Sequence, residues 1–375
     1  MGKKEKTKEG FTTGRVIKMI AFLAIIVLIM IYLNSVFCLR DPNDSEGTFG
    51  TFYDLSDSGT KLDGVYIGSS AVNRFFIPTE YYRRYGSCIY DLATAGQSSF
   101  LIKNIVKEAV KEQPDMKIIL IEIRPFVKDH WGGGEGSIRN VTDSMKYSEN
   151  WVDTIDTAMY WGNKLNKGSF NSNKMYYYFR YLLYHNSWPN MKLNEFTPND
   201  KTTDYMGYNL TYIVTNTTKI LDPQDFGGYA KMNSDQEEIL LDLIKYCKTL
   251  DQKVIFVASP IKFKPDSQAK LNYVKALIEK NGMTVWDFNT GKLREDFKVD
   301  YNHYYYERSH MNVFGAEAYT KYIYKQISSV VELEDHRGDS DYKAWDQAEK
   351  KFLRDKKKLL AQRKKKGNTP APDNT

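Results

Sequence analysis

Two kinds of apolar segment alternate along most of this chain, and their spacing predicts its fold. The short segments are near-continuous runs rich in β-branched and aromatic residues, typical of buried strands, at residues 65–67, 88–93, 117–123, 253–259 and 284–288. The longer segments have helical periodicity and lie at residues 72–85, 100–111, 235–250, 266–281 and 313–330. Pro78 interrupts the first of them. Because strands that alternate with helices form parallel sheets, we predict a three-layer α/β/α doubly wound fold that begins at Leu62.

The apolar run at residues 19–33 is too long for a buried strand. Together with Val36 and Phe37 it covers about 19–20 residues, which is enough to cross a bilayer. Six Lys or Arg side chains in residues 1–18 precede the run and predict that the N-terminus stays in the cytoplasm. Because no small-residue cleavage site follows, we predict an uncleaved signal anchor at residues 19–37 and a body outside the cell membrane.

The remaining segments predict how the chain is divided. Residues 1–18 are a basic cytoplasmic segment, 38–61 a polar linker, 62–335 the extracytoplasmic domain and 336–375 a basic C-terminal tail. The alternation breaks at residues 127–234, after the third strand, and this insertion is either a lid or substrate wall or an elaboration away from the site. The tail is either an amphipathic helix against anionic lipid or teichoic acid or a flexible segment, with residues 367–375 disordered.

Charge and cysteine content exclude several classes of partner. The net charge is +6, but residues 1–18 carry +4 and residues 350–366 carry +9, which leaves −7 on the rest of the chain. The basic character therefore belongs to the two ends, and the predicted location outside the membrane disfavours nucleic acid as a partner. The three cysteines are far apart, so we expect no disulfide framework and no zinc site, and no motif indicates a cofactor.

The first predicted strand leads directly into a candidate catalytic motif. Gly68 permits a tight turn, and Ser70 then lies at the start of a helix, where it is either an N-cap or a nucleophile. Near the end of the domain, Glu307 precedes His310 by three residues, a spacing that can complete a Ser-His-acid triad. Active sites of such sheets lie beyond the carboxyl ends of the strands, and Ser70, Gly96, Arg124 and His310 all follow predicted strands or lie at their ends.

The order of these motifs resembles the SGNH/GDSL hydrolase superfamily, whose fold is flavodoxin-like. The similarity covers residues 62–126 and 235–330 and rests on Gly-Ser-Ser at 68–70, Asp-Leu-Ala-Thr-Ala-Gly at 91–96, and Glu-x-x-His at 307–310 followed by Asn312 and Gly315. Within the superfamily the chain is similar to membrane-anchored cell-envelope members, the DltD-like teichoic-acid D-alanylation proteins and the AlgJ-like alginate-acetylation proteins.

The resemblance implies roles for individual residues. Ser70 corresponds to the nucleophile, His310 to the general base and Glu307 to the acid that orients it. The backbone N–H groups of Ser70 and Gly96 correspond to donors of the oxyanion hole. Two residues depart from the family pattern: Glu307 occupies the position of an Asp, and the third strand ends in Arg124 where the family supplies an Asn donor. Arg124 or a backbone N–H is expected to replace that donor.

Two functions are consistent with this resemblance. The first is an O-acyltransferase or O-acylesterase that acts on a cell-envelope glycan or teichoic-acid polymer. The second is a catalytically weak scaffold that binds glycan and partners a multi-pass membrane O-acyltransferase.

Overall fold

The computed structural model describes residues 13–37, 47–128, 134–165, 173–196, 202–210, 227–261, 265–307 and 309–365. The chain divides into two units, one made of residues 1–39 with 173–199 and the other of residues 40–172 with 200–375. We call the second unit the body. It contains the sheet and all of the candidate site residues.

The body is built on five parallel strands. They are β1 (Gly64–Gly68), β2 (Ile89–Ala93), β3 (Ile118–Glu122), β4 (Lys253–Ala258) and β5 (Thr284–Asp287). Their order in the sheet is β2-β1-β3-β4-β5, and each pairs with its neighbours in parallel. This confirms the predicted parallel sheet, and the strand order is that of flavodoxin-like sheets, in which the direction of winding reverses between β1 and β3.

Burial explains why the strands were recognisable. Every residue of β1, β2 and β3 is buried, as expected for strands covered on both faces by helices. Such strands have no polar face, so their sequences are continuous apolar runs and contrast sharply with the amphipathic helices between them.

Fifteen α-helices occur in the part of the chain that the structure describes. They are α1 (Thr13–Val36), α2 (Gly47–Asp57), α3 (Ser70–Asn73), α4 (Pro78–Tyr85), α5 (Ile102–Glu112), α6 (Arg124–Val127), α7 (Glu135–Thr142), α8 (Glu149–Leu165), α9 (Met175–Tyr178), α10 (Tyr181–Tyr184), α11 (Ser234–Cys247), α12 (Pro265–Lys280), α13 (Gly291–Phe297), α14 (Val313–Ser328) and α15 (Lys343–Lys365). A short antiparallel hairpin, β6 (Tyr305–Glu307) and β7 (His310–Met311), lies before α14. The region between β3 and β4, where the sequence predicts an insertion, contains α6 to α11, and its residues 173–199 group with α1.

Part of the predicted linker at residues 38–61 is a buried helix. Phe49, Phe52 and Tyr53 project from α2 at helical spacing, and both phenylalanines are fully buried. The Tyr53 hydroxyl donates to Glu108 Oε1 at 2.9 Å. Residues 47–57 therefore belong to the body, and the Gly, Thr and Ser residues around these aromatic side chains are what gave the segment its polar appearance.

The first part of the predicted tail also packs on the body. Trp345 and Phe352 of α15 are fully buried, with the Trp345 ring 5.6 Å from Tyr82 and the Phe352 ring 6.0 Å from Tyr208. The segment is a helix, as in the first alternative, but its apolar face packs on protein at these positions. Residues 366–375, which include the segment expected to be disordered, lie outside the described residues.

The other unit contains the predicted membrane anchor. The helix α1 has a mean hydropathy of 2.9 over an 18-residue window, with none of that window buried against protein, and it is long enough to cross a membrane. At its end, Asn34 Nδ2 donates to the carbonyl of Tyr178 at 2.9 Å, and the Tyr32 hydroxyl donates to the carbonyl of Phe196 at 2.6 Å. These bonds join α1 to the segment at residues 173–196.

Candidate active site

The structure brings together a serine and a histidine that are 240 residues apart in sequence. His310 Nε2 lies 2.8 Å from Ser70 Oγ, within hydrogen-bond distance. Ser70 lies two residues after the end of β1, at the carboxyl edge of the sheet and next to the point where the winding reverses. A serine hydroxyl that contacts an imidazole nitrogen is the arrangement needed to activate a serine nucleophile.

Close packing between β1 and β3 fixes the position of Ser70. A Cβ atom on Gly68 would lie 2.7 Å from Glu122 Cβ and 2.7 Å from Val72 Cγ2, so only glycine fits there. Ser69 occupies the N-cap of α3, and its side chain makes no capping bond there. The sequence left open whether Ser70 is an N-cap or a nucleophile; its hydroxyl faces His310, and it is the first helical residue.

The hairpin that carries His310 is fixed at the start of α14. Asn312 is the N-cap, and its Oδ1 accepts hydrogen bonds from the backbone N–H groups of Phe314 and Gly315, both at 3.0 Å. Asn312 Nδ2 donates to the carbonyl of His303 at 2.6 Å. One fully buried amide side chain therefore joins the residues before the hairpin to the helix after it and holds His310 between them.

Two further contacts seat this hairpin on the body. The Tyr305 hydroxyl donates to the carbonyl of Pro260, and the ring packs edge-on against Phe75, 6.3 Å away. A Cβ on Gly315 would collide with the backbone oxygen of Tyr304, so this glycine permits the close approach of hairpin and helix. Gly315 is part of the motif that carries the family resemblance, and packing accounts for it.

The far side of the imidazole faces Tyr306. The Tyr306 hydroxyl lies 3.1 Å from His310 Nδ1, and the two rings stack with their centroids 5.8 Å apart. Arg74 Nη1 in turn donates to the Tyr306 hydroxyl at 3.1 Å. If Nε2 accepts the proton of Ser70, then Nδ1 carries the ring hydrogen and donates to the tyrosine oxygen. The arginine and the histidine would then use the two lone pairs of that oxygen.

Glu307, the predicted orienting acid, is placed only by its backbone. It pairs with His310 across the hairpin, but its side chain and Arg308 lie outside the described residues. Its role as the acid of a triad therefore stays a prediction.

A small pocket opens beside the serine. It has a volume of about 30 Å³ and is lined by residues that include Ser70, Gly96, Gln97, Arg124 and Lys128. Gly96 has a φ of +65°, a left-handed conformation that favours glycine, in the turn after β2. All three oxyanion candidates from the sequence, Ser70, Gly96 and Arg124, thus line the same pocket.

Arg124 connects the end of β3 to the histidine loop. Its Nη1 donates to the carbonyl of Ser309 at 3.3 Å, and its backbone N–H donates to Glu122 Oε1 at 3.0 Å. Burial raises the pKa of Glu122 to about 8, against the opposing effect of the Arg124 charge. Partial burial and then the like charge of Arg124 lower the pKa of Lys128. Arg124 and Lys128 give the pocket a positive lining, and because Glu122 is mostly protonated at neutral pH it does not offset their charge.

Sequence reasoning missed Tyr306, Arg74, Gln97 and Lys128. Arg74 lies four residues after Ser70, and Tyr306 lies four residues before His310. Nothing in the sequence pattern showed that the hairpin would stack the Tyr306 ring on the imidazole of His310. Gln97 had a usable signal, because it directly follows Gly96 in the turn.

Fold and site together define an α/β parallel-sheet protein with a hydrogen-bonded Ser-His pair at the switch point of its sheet. No protein-family model matches the chain, and no curated protein is significantly similar to it. Any assignment of activity therefore depends on the geometry and on the motif resemblance.

Proposed function

We propose that this protein is a serine-dependent acyl-transfer enzyme of SGNH/GDSL type, an O-acyltransferase or O-acylesterase. The single observation that carries the proposal is the 2.8 Å contact between Ser70 Oγ and His310 Nε2. Support also comes from the location of this pair beyond the carboxyl end of β1, where sheets of this order bind their ligands.

The chemistry follows from the properties of the two side chains. His310 removes the proton of Ser70 as its oxygen attacks the carbonyl carbon of an ester, and a tetrahedral oxyanion forms. When the ester C–O bond breaks, the imidazolium returns the proton to the departing alcohol and an acyl-serine remains. An acceptor hydroxyl or a water molecule, deprotonated by His310, then takes the acyl group and regenerates the serine.

Donors near Ser70 would stabilise the oxyanion. The backbone N–H groups of Ser70 and Gly96 are the family candidates, and Arg124 offers a charged donor in place of the family Asn. Glu307 is proposed as the acid that orients His310, with Tyr306 as a neutral partner on the same side of the ring.

The proposed substrate is a cell-envelope polymer, a glycan or a teichoic acid. One helix long enough to span a membrane supports anchoring at the cell membrane, and the lysines before it favour an extracellular body. A multi-pass membrane O-acyltransferase is a partner that could deliver the acyl group to the outer surface.

A second cavity favours polymer binding, which the scaffold alternative also requires. It has a volume of about 460 Å³, lies between α5, α8 and α11, and is lined by residues that include Tyr160, Trp161, Asn104 and Asp156. The exposed ring of Tyr160 and the half-buried ring of Trp161, beside carboxylate and amide groups, offer an apolar contact and hydrogen-bond partners to a polyhydroxylated chain.

Active-site labelling separates the two functions. The full chain in detergent should react with a fluorophosphonate probe, and Ser70→Ala and His310→Ala should each abolish labelling. Ser69→Ala is the matched control and should retain most of it, because its hydroxyl does not contact the histidine. A Ser70→Ala protein that labels like the parent would leave only the scaffold function.

A further inference from the structure

A residue that lines the pocket beside Ser70 carries a buried hydrogen-bond donor without an acceptor. Gln97 is only 2% exposed and lines this pocket. Its Nε2 has no hydrogen-bond partner among the residues that the structure describes. Because a buried amide N–H without a partner is costly, such a group in an active-site pocket indicates that a bound molecule supplies the acceptor.

The rest of the Gln97 side chain is held in place. Its Oε1 accepts a hydrogen bond from Thr94 Oγ1 at 3.4 Å, and its backbone N–H donates to the carbonyl of Thr94 at 3.2 Å. Thr94 N in turn donates to the carbonyl of Gly68 at 3.3 Å, two residues before the nucleophile. The donor is therefore attached, through one short turn, to the strand that presents Ser70.

The charge of the pocket restricts what can bind there. Arg124 and Lys128 are both in its lining, and within the described ranges no carboxylate lies within salt-bridge distance of Lys128. Glu122, beneath them, has a pKa of about 8 and does not supply a full negative charge at neutral pH. An ammonium group placed in this pocket would meet two like charges at short range.

The size of the pocket adds a second restriction. A volume of about 30 Å³ is two to three times the roughly 10–15 Å³ that one buried water needs, so the pocket suits a group of a few heavy atoms such as an acetyl. On the basis of the proposed acyl-transfer function, we propose that the pocket binds the ester carbonyl oxygen through Gln97 Nε2 and accepts short uncharged acyl groups, acetyl above all. It would reject aminoacyl groups such as alanyl.

Four p-nitrophenyl esters test the selectivity on the full chain in detergent. Isobutyrate and alaninate form an isosteric pair, since an ammonium in one replaces a methyl in the other, and acetate and butyrate differ in length only. Assays at pH 6.5 keep the α-amino group protonated, and Ser70→Ala supplies the rate of spontaneous hydrolysis. We expect kcat/KM to be highest for acetate and at least tenfold lower for alaninate than for isobutyrate.

Variants test the two parts of the pocket separately. Gln97→Met keeps the volume but removes the donor, and it should lower kcat for acetate about a hundredfold, as loss of an oxyanion donor does, with KM little changed. Lys128→Gln should raise the alaninate rate relative to isobutyrate. Lys117→Gln is the charge control, because Lys117 precedes β3 at the opposite edge of the sheet, and it should leave that ratio as it is.

The outcomes distinguish this inference from the function it rests on. If the parent protein shows no Ser70-dependent labelling or turnover, then the proposed acyl-transfer function itself fails. If Ser70 labels and turns over but alaninate matches or exceeds isobutyrate, the selectivity is wrong. If Gln97→Met retains kcat and also the thermal stability of the parent, Gln97 is not the donor. A folded Gln97→Met protein, shown by an unchanged unfolding temperature, that labels slowly and turns over poorly supports the assignment.

Discussion

Replacing Tyr306 by Phe tests how the imidazole of His310 is oriented. The variant removes the hydroxyl that lies 3.1 Å from Nδ1 but keeps the ring that stacks on the histidine at 5.8 Å. Two hydrogen bonds of this hydroxyl are lost, one with His310 Nδ1 and one from Arg74 Nη1, but only the first holds the imidazole. Because the stacked ring still limits rotation of the imidazole, the loss at the base is that of one neutral hydrogen bond, worth about 0.5–1.5 kcal/mol. If that energy appears in the transition state, kcat should fall about twofold to tenfold.

The assay is the rate of p-nitrophenyl acetate hydrolysis by the full chain, together with the rate of fluorophosphonate labelling of Ser70. Tyr273→Phe is the matched control. The Tyr273 hydroxyl donates a hydrogen bond of 3.0 Å to Glu237, outside the candidate site, so its loss should leave both rates unchanged. Glu307→Gln should cost less than His310→Ala, as expected for an orienting acid.

Two results would refute this reasoning. A loss from Tyr306→Phe as large as that from His310→Ala would make the tyrosine the third member of the triad, in place of Glu307. A variant with unchanged kcat would show that the hydroxyl, although close to Nδ1, does not contribute to holding the base in its active orientation.

Three further predictions concern stability and topology. Because the pKa of Glu122 is raised from 4.5 to about 8, the folded state keeps a proton that the unfolded state releases between these pH values. The free energy of unfolding should therefore fall as pH rises from 4.5 to 8, and Glu122→Gln should flatten this dependence in thermal unfolding. The same dependence of unfolding free energy on pH in the parent and the variant would contradict this prediction. Gly68→Ala should cost about 1–3 kcal/mol of unfolding free energy in denaturant titrations, since its Cβ would crowd Val72, whereas Gly136→Ala, at an open helical position, should cost little. Protease added to intact cells should remove a C-terminal tag, and complete protection of that tag until lysis would place the body inside.

The sheet and the placement of Ser70 and Gly96 at its edge could be predicted because both follow from general rules for parallel sheets. Strands buried on both faces must be apolar throughout, and residues that follow parallel strands converge on one edge, which brought Ser70 and Gly96 together from sequence alone. His310 is a different case: it lies in a small hairpin outside the main sheet, and only its motif indicated that it would reach the serine.

The contacts of residues that tertiary packing positions could not be predicted from the sequence. Tyr306 contacts the imidazole because the hydrogen bonds of Tyr305 and Asn312 fix the position of the hairpin, and no local sequence pattern indicates that position. The same reason explains the error at residues 47–57, where a helix rich in small polar residues is held by the aromatic side chains that it buries against β2 and α5.

The separation of Ser70 and His310 along the chain has a consequence for the timing of biogenesis. The two residues are 240 positions apart, and ribosomes add about 5–20 residues per second, so the serine is made roughly ten to fifty seconds before the histidine. The aromatic face of α15 at Trp345 and Phe352 arrives later still. Under the proposed function, a nascent chain that still lacks His310 exposes a hydroxyl no more reactive than that of any other serine, and Ser70 can take an acyl group only after the histidine has been made and has folded against it.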